Sequence, residues 1–328
     1  MQGKFTEQKI VETLKINYMP YAMSVIVSRA IPEIDGLKPS HRKLLYTMYK
    51  MGLLKGPKTK SANVVGQTMK LNPHGDMAIY ETMVRLTTGN MALLHPLVES
   101  KGNFGKAYSR DMKFAAPRYT EVQLTEICRE MFRDIDKDTV DFTDNYDGTM
   151  KEPVLLPSVF PNILVNPNQG IAVGMASNIC SFNLKEVCAA VIAYIKNDNA
   201  DIAGYLKAPD FSTGGQLIYN EKEMKKIYET GRGSFKVRAK YRFDSRNSCI
   251  EVYEIPYTTS SEAIIEAIAG IIKEGKIKDI TDVRDETDLE GLQIAIDIKR
   301  NADPDGIMNK LYKLTPLQDS FGCNFNVL

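Results

Sequence analysis

The spacing of apolar residues changes along the chain, and this change constrains the fold more than any other feature. Up to about residue 135, apolar residues recur every three or four positions, which is the spacing of amphipathic helices. After residue 230 they alternate with polar residues, as at Phe235, Val237, Ala239, Tyr241 and Phe243, which predicts a half-buried strand. Together the two patterns predict an α+β protein whose second half is built on an antiparallel or mixed sheet.

The helical spacing predicts a series of segments in the first half. We expect helices over 5–30, 40–51, 60–70, a stretch that begins at Asp76, and 120–135. The first would carry Ile10, Leu14, Tyr18 and Ala22 on one face, with a kink or restart at Pro20. In the second half we expect a strand at 250–254, a helix over 261–276, a strand at 292–298 and a helix over 303–314.

Two of these helices frame a sharp break at Asn72-Pro73-His74-Gly75. Asp76 is expected to cap the second helix. A helix, a tight turn with glycine and a second helix form the outline of a helix-turn-helix. Many helical hairpins share this outline, so it does not by itself predict DNA binding.

The length and composition bound the class of protein. The chain has 328 residues, 43% of them hydrophobic, and a net charge of +1, which predicts folded domains rather than disorder. A segment rich in Pro, Asn and Gly over 154–183 predicts that a second region of the chain begins there. Five cysteines without a close pair predict reduced thiols in a cytoplasmic protein. The apolar stretch over 18–31 is too polar to span a membrane.

A basic block lies ahead of the possible helix-turn-helix. Between residues 29 and 60 only Glu33 and Asp35 oppose eight cations, namely Arg29, Lys38, Arg42, Lys43, Lys50, Lys55, Lys58 and Lys60. Such a block fits contact with a phosphate backbone. A solvated face is the alternative for a charge run taken alone.

The pair Arg118-Tyr119 is a candidate for nucleophilic chemistry. A tyrosine hydroxyl is a weak nucleophile near neutral pH, and an adjacent guanidinium can lower its pKa and bind a phosphoryl group. A helix over 120–135 would add its N-terminus in the same direction. A buried structural tyrosine beside a surface arginine is the commoner arrangement.

Other polar residues are weaker candidates. His74 could bind a phosphate oxygen or move a proton, although a turn histidine bonded to its own backbone explains it equally well. His41 and His95 receive no catalytic role. The acidic stretch Asp134–Asp138 is interpreted as a solvated helix end rather than a metal site. No GxxxxGK[ST] phosphate loop occurs, so ATP hydrolysis by that route is not expected.

The segment YAMSVIVSRAIPEIDGLKPSHRKLLY at 21–46 resembles the opening of the A subunit of bacterial type IIA DNA topoisomerases, DNA gyrase and topoisomerase IV. The resemblance continues in order over essentially the whole chain, through KSANVVG, NPHGD, GNFG, APRYTE, VDFTDNYDGT, PNILVN, GIAVGMASNI, EIPY, VRDETDLEGLQIAI and LYKLTPLQDSFG. It implies a winged-helix breakage domain up to about residue 150 and a tower domain after it. The coiled coil and second dimer gate of the family would follow beyond the end of this sequence.

The resemblance also implies roles for individual residues. Tyr119 would take the DNA 5′-phosphate, and Arg118 would assist at the same phosphate. Five basic residues would line the cleavage site, namely Arg29, Lys38, Arg42, Lys43 and His74. Ile171 would wedge between base pairs and bend the duplex; without the resemblance, a core residue of an apolar loop is the better interpretation. Two copies would cut the two strands, in an A₂B₂ complex whose B subunit binds Mg²⁺ and ATP.

The sequence departs from the family pattern at Asn72, Lys43 and Met77, and its loop from Pro32 to Gly36 is one residue shorter than the commonest family form. Asn72 stands where the family usually has a second histidine, and Lys43 replaces a common arginine. Met77 and Glu81 occupy positions linked to quinolone binding, and Met77 replaces the usual Ser or Thr, so we expect a weakened quinolone response. The departures at Asn72 and Lys43 leave open an alternative, a winged-helix module that binds DNA without cutting it. The sequence does not separate gyrase from topoisomerase IV.

Overall fold

The chain opens with a helical arm. The computed structural model describes residues 7–288 and 290–328. The arm consists of α1 (Ile10–Thr13), a π-helical segment (Leu14–Tyr18), α2 (Met19–Val25) and a second π-helical segment (Ile26–Ala30). The predicted helix over 5–30 therefore begins at Ile10, and residues 5 and 6 lie outside the described residues. Pro20 lies in the first turn of α2, as expected of a residue that cannot donate a helical hydrogen bond.

The predicted apolar stripe of the arm is exposed over most of its length. Ile10 is 71% exposed, Leu14 and Tyr18 are exposed as well, and only Ala22 is buried. Helical periodicity identifies an apolar face but does not say whether another element covers it.

Three helices form the centre of the first half. They are α3 (Pro39–Lys50), α4 (Ser61–Thr68) and α5 (Asp76–Leu86), and each contacts the other two. Leu44, Leu45 and Met48 of α3 are fully buried. The helix–turn–helix outline is confirmed, with one correction of detail. Asp76 is the first residue of α5 rather than its cap, since Gly75 occupies the cap position.

A small antiparallel sheet lies beside these helices. Its strands β1 (Thr59–Lys60), β2 (Val98–Lys101) and β3 (Glu121–Leu124) run in the order β1-β3-β2. The predicted helix over 120–135 is therefore wrong, because the segment forms β3 and then the short helix α6 (Cys128–Met131). Partners distant in sequence decide this, since β3 pairs with β2 from Val98–Leu124 to Lys101–Glu121.

The second half contains two larger sheets. It begins with a short hairpin of β4 (Phe142–Asp144) and β5 (Lys151–Pro153). The elements that follow are α7 (Asn162–Val165), β6 (Asn168–Ile171), β7 (Ala176–Ile179), α8 (Leu184–Lys196), α9 (Ile202–Tyr205), β8 (Gln216–Ile218), α10 (Glu221–Thr230) and β9 (Arg232–Arg238). The last stretch holds β10 (Lys240–Asp244), β11 (Cys249–Glu254), α11 (Ser261–Lys273), β12 (Ile280–Asp285), β13 (Ile294–Ile298), α12 (Pro304–Leu314) and β14 (Gln318–Asn324).

The strand predicted over 235–243 is shared between the two sheets. It breaks at Ala239, so that β9 joins a five-stranded sheet of order β6-β7-β14-β9-β8 and β10 joins a four-stranded sheet of order β10-β11-β13-β12. The hairpin of β10 with β11 is confirmed. All pairs in both sheets are antiparallel, which confirms the α+β class.

Two hydrophobic clusters hold the molecule together. One runs from α3, α4 and α5 to the five-stranded sheet, where it includes Phe235 and Phe321. The other lies between the four-stranded sheet and the helices α11 and α12. The division of the chain at residue 150 stays a prediction.

The cysteines are free thiols, as expected. Four of them are buried and Cys188 is half-buried. Among residues 7–288 and 290–328, no helix is both long and apolar enough to cross a bilayer.

Candidate functional site

Tyr119 is presented on a short loop that is fixed on both sides. Its side chain is 65% exposed, so the alternative of a buried structural tyrosine does not hold. The amide of Ala62 donates to the Pro117 carbonyl at 3.1 Å, and the amide of Ser61 donates to the Thr120 carbonyl at 3.0 Å. Tyr119 precedes a strand and not a helix. The helix N-terminus at this loop is that of α4, and two of its first amides already bind protein carbonyls.

Three buried hydroxyl groups brace this loop from below. Thr120 Oγ1 lies 2.8 Å from Ser61 Oγ and 2.9 Å from the Tyr80 hydroxyl. The Tyr80 hydroxyl donates to the Ala115 carbonyl at 2.7 Å. Burial raises the pKa of Tyr80, so its hydroxyl keeps its proton. The network ties the loop to α4 through Ser61 and to α5 through Tyr80.

Arg118 lies directly against the candidate nucleophile. Its guanidinium carbon is 4.9 Å from the centroid of the Tyr119 ring, within the range of a cation–π contact. Both side chains are exposed. The pair therefore presents a hydroxyl and a positive charge to the same volume of solvent.

Most of the other candidate residues line two adjoining grooves. The His74 groove, with a volume of about 630 Å³, is lined by His74, Asn72, Lys43 and Arg42. The Ile171 groove, with a volume of about 530 Å³, is lined by Ile171, Lys38, His41 and Arg85. Arg29 lies in the wall of both. Neither Arg118 nor Tyr119 belongs to the described lining of these grooves.

Arg42 is held by carboxylates in this structure. It is only 4% exposed, and its Nε and Nη2 donate to Asp35 at 2.7 and 2.8 Å, with Glu33 at 3.1 Å. The backbone amide of Leu156 also donates to Asp35 at 3.0 Å. Arg42 therefore joins α3 to the segment after β5. DNA contact by Arg42 stays a prediction that requires it to exchange these partners.

The remaining predicted cations differ in whether an acidic side chain lies within ion-pair distance of them. Lys43 Nζ lies 3.2 Å from Glu152 and donates to the Leu71 carbonyl at 3.0 Å. Arg29 and His74 are exposed, and no carboxylate of the described residues lies within ion-pair distance of either. These two side chains are the ones most open to an incoming phosphate.

The β6–β7 hairpin is clamped against the segment that follows the arm. Lys38 Nζ donates to the Gln169 carbonyl at 2.6 Å, and Asn168 Nδ2 donates to the Gly36 carbonyl at 3.1 Å. At Gly170 a Cβ atom would lie 2.9 Å from the Ala30 carbonyl carbon and closer still to its oxygen. Only glycine fits this close approach of two backbones.

The same hairpin projects Ile171 into solvent. The side chain is 78% exposed, so the alternative of a core residue is excluded. An isolated, exposed isoleucine on a braced hairpin has the shape that an apolar wedge requires.

His41 lies among cations at the base of the Ile171 groove. Burial, followed by the charges of Lys38, Arg85 and Arg42, lowers its pKa to about 3. Burial and then Arg85 also lower the pKa of Lys38. His41 is therefore neutral at neutral pH.

The two positions that the resemblance links to quinolone binding lie on the outer face of α5. Met77 is 51% exposed. Glu81 is exposed one turn further along the helix and lines the Ile171 groove. Both are open to a ligand that approaches α5.

Sequence reasoning missed four residues of this region. Tyr80 and Thr120 form the brace, Gly170 permits the hairpin clamp, and Arg85 lies in the Ile171 groove. A glycine inside a strand indicates a bulge or a close backbone approach, so Gly170 carried a signal. The other three are ordinary residues of a helix or a strand edge.

Comparison with known proteins decides the family. The family model of the DNA gyrase/topoisomerase IV A subunit matches residues 29–328. The chain belongs to this family. The resemblance inferred from the motifs is thereby confirmed.

Individual relatives agree with the family model. The DNA gyrase A subunit of Borreliella burgdorferi is 43% identical over 325 residues, which are 96% of this chain and 40% of that protein. Its namesake in Halalkalibacterium halodurans is 44% identical over 335 residues, covering 100% and 40%. That of Staphylococcus aureus is 44% identical over 337 residues, covering 100% and 38%. The chain thus spans about two fifths of the length of these relatives.

Proposed function

We propose that this chain is the DNA-cleaving part of the A subunit of a type II topoisomerase, and that Tyr119 is its nucleophile. The Tyr119 oxygen forms a bond to a backbone phosphorus, the bond from that phosphorus to the 3′ oxygen breaks, and the tyrosine proton passes through solvent to the departing 3′ hydroxyl. A 5′-phosphotyrosyl link remains, and the reverse reaction rejoins the strand. The exposed Tyr119 hydroxyl on a loop braced by Ser61, Thr120 and Tyr80 is the observation that carries this proposal.

Arg118 assists at the same phosphate. A guanidinium beside the hydroxyl stabilises charge that develops on the phosphoryl oxygens. The brace beneath the loop fixes the position of the nucleophile before DNA arrives, which avoids part of the entropic cost of orientation.

The grooves hold the duplex on either side of the cut. Arg29 and His74 offer polar groups without acidic partners to phosphates, and Lys38 adds positive charge. Arg42 and Lys43 reach the DNA by exchanging their carboxylate partners for phosphates. Ile171 inserts between base pairs and bends the duplex, at a cost of roughly a few kcal/mol for the unstacked step. α3, α4 and α5 beside the sheet β1-β3-β2 support a winged-helix domain, with residues 151–328 as the tower.

The remaining components come from partners. Two copies of the chain cut the two strands of one duplex in the cytoplasm, within an A₂B₂ complex. The B subunit binds the Mg²⁺ and ATP. Among the described residues of this chain, no group of three or more His, Cys, Asp or Glu is placed to hold a metal ion.

A second candidate function is a DNA-binding module that does not cut. Asn72 favours it, because this side chain is buried in the His74 groove and an amide cannot carry a proton. The two functions differ in whether protein becomes covalently joined to DNA.

The decisive experiment compares wild type with Tyr119→Phe in the full-length A subunit, with its B partner, Mg²⁺ and supercoiled plasmid. After detergent trapping, we expect cleaved DNA linked to the wild-type protein and none linked to the variant. Tyr146→Phe, which also removes an exposed hydroxyl, is the matched control and should behave as wild type. DNA that binds wild type without any linkage would support the non-cleaving module.

The drug-contact positions give a separate prediction. Met77 cannot offer the hydroxyl that Ser or Thr provides at this position, so we expect a weakened quinolone response, restored in part by Met77→Ser. The measurement is the quinolone concentration that doubles the trapped cleavage product. Ordinary sensitivity of the wild-type enzyme would refute it.

A further inference from the structure

A third groove adjoins the Ile171 groove on the side away from His74. This Lys106 groove has a volume of about 460 Å³ and is lined by the cations Arg85, Lys106, Arg110 and Lys113. Glu81 is the one acid in its described lining. Arg85, Gln169 and Tyr257 line both this groove and the Ile171 groove, so the two are continuous.

A closed loop brings two of these lysines together. Phe104 and Phe114 form an antiparallel bridge at its neck, and the amide of Lys106 donates to the Met112 carbonyl at 3.3 Å. Lys106 and Lys113 therefore both lie next to the Phe104–Phe114 bridge that closes the loop. Gly105, at φ 65°, makes the tight turn possible.

The tip of this loop is anchored to the second half of the chain. Ser109 donates to the Glu262 carboxylate at the start of α11, and the amide of Asp111 donates to the same oxygen at 3.1 Å. Burial alone would raise the pKa of Glu262, but these hydrogen bonds lower it to about 2, so the anchor stays charged. Arg110 is neutralised by Glu266 at 3.0 Å.

Three cations of the groove remain without a compensating acid. No carboxylate of the described residues lies within 4.0 Å of Arg85, Lys106 or Lys113. Lys106 is half-buried, and its ammonium contacts the Met91 sulfur at 3.5 Å, a weak acceptor. A solvated charge run would extend its side chains into water, whereas here an anchored loop holds the charges along a groove.

We propose that Arg85, Lys106 and Lys113 form a second phosphate-binding surface, which grips the bound DNA duplex outside the two grooves of the candidate site. This inference rests on the proposed function, since the occupant is the same duplex that lies in the Ile171 groove. Charge favours this occupant, because three uncompensated cations along a continuous groove match a regular line of phosphates. Because Glu262 at the start of α11 holds the tip of the loop, DNA binding by this surface depends on α11.

The test is the salt dependence of DNA binding by the full-length A subunit with its B partner. For Lys106→Gln combined with Lys113→Gln, we expect the slope of log affinity against log salt to become shallower by about 2, since each phosphate contact contributes about 0.9. The matched control combines Lys222→Gln with Lys226→Gln, which removes the same charge from exposed positions on α10 outside all three grooves. The control should keep the wild-type slope.

Two further measurements separate the possible failures. Lys106→Arg combined with Lys113→Arg preserves charge and should retain the slope, which distinguishes lost phosphate contact from disturbed loop packing. A wild-type slope in the glutamine double variant would overturn the inference and leave an acidic protein segment as the occupant. Absence of a covalent adduct in wild type would instead overturn the proposed cleavage and leave the comparison of slopes intact.

Discussion

Tyr119 and Ile171 are both exposed, but the chain supports them in different ways. Beneath Tyr119 the support is a set of buried hydroxyl groups that links the loop to α4 and α5. At Ile171 it is close contact of backbones, with Gly170 against Ala30 and the ammonium of Lys38 on the Gln169 carbonyl. Hydrogen bonds from hydroxyl groups are directional, so they suit the orientation of Tyr119 as the proposed nucleophile. Close backbone contact resists displacement, so it suits Ile171 as the proposed wedge.

The largest effects are expected when Tyr119 and Ile171 are replaced one at a time, because each side chain is proposed to have its own role. Tyr119→Phe should abolish the covalent adduct and leave the bend in bound DNA, whereas Ile171→Ala should reduce the bend while the nucleophile remains. Energy transfer between dyes at the ends of a duplex reports the bend, and detergent trapping of the same samples reports the adduct. Loss of bending in Tyr119→Phe would show that the two regions are not independent.

Gly170→Ala should break the support of the wedge. A methyl group at this position overlaps the Ala30 carbonyl, so the hairpin must move, and we expect a loss of about 1–3 kcal/mol in the free energy of unfolding together with reduced bending. Gly322→Ala lies in the same five-stranded sheet with open space around it, and it should change little. Equal denaturation midpoints for the two variants would argue against the clamp.

Thr120→Val should weaken the support of the nucleophile. It keeps the shape of the side chain but leaves the hydroxyls of Ser61 and Tyr80 with one partner fewer, which costs about 1–3 kcal/mol. We expect the rate of adduct formation to fall more than the affinity for DNA, because the loop loses its orientation. Thr139→Val removes an exposed hydroxyl that bonds the Asp134 carbonyl and serves as the control, for which both quantities should be unchanged.

Near neutral pH, the smallest effect concerns acid. The folded state holds the pKa of His41 at about 3, against an ordinary value of 6.5. Between these values the unfolded chain binds the proton more readily, so stability falls as the pH drops from about 6.5 towards 3. The slope is at most about 1.4 kcal/mol per pH unit and smaller for a partly exposed group.

His41→Gln should flatten this dependence, measured as unfolding free energy at several pH values. The exposed His74 gives the control variant His74→Gln, which should keep the wild-type dependence. The cations around His41 are Lys38, which precedes α3, Arg42 on α3 and Arg85 on α5. The network beneath the Tyr119 loop consists of hydroxyl groups and contains no histidine. We therefore expect a fall in pH to affect the base of the β6–β7 hairpin before it affects the Tyr119 loop.

Much of the helical framework could be predicted because amphipathic helices are encoded locally. α3, α4, α11 and α12 lie within a few residues of the predicted limits. The segment 120–135 could not be predicted in this way. Of the apolar residues at helical spacing, Leu124, Met131 and Ile135 are buried and Ile127 is half-buried. A strand buries Leu124 equally well, and pairing with residues 98–101 decides between helix and strand.

The chemical identity of the site was accessible from sequence, but its mechanics were not. The Arg118-Tyr119 pair became a candidate through the family motif around it, and its role stays a proposal. The carboxylates that hold Arg42 lie only a few positions away, but a list of charges does not show which of them are paired. The brace of Tyr80 and Thr120 joins residues forty positions apart, which no local pattern records.

Ala239 is a tightly held link between the two larger sheets. It is the residue at which one strand passes from the five-stranded to the four-stranded sheet. Its amide donates to the Leu317 carbonyl at 2.7 Å, its carbonyl accepts from the Tyr312 hydroxyl at 2.9 Å, and its methyl group is fully buried. Because both backbone groups of Ala239 are hydrogen-bonded and its methyl group is buried, this link has little freedom to rotate. We therefore expect a twist of the four-stranded sheet to pass to β9 and, through β14 and β7, to the hairpin that carries Ile171.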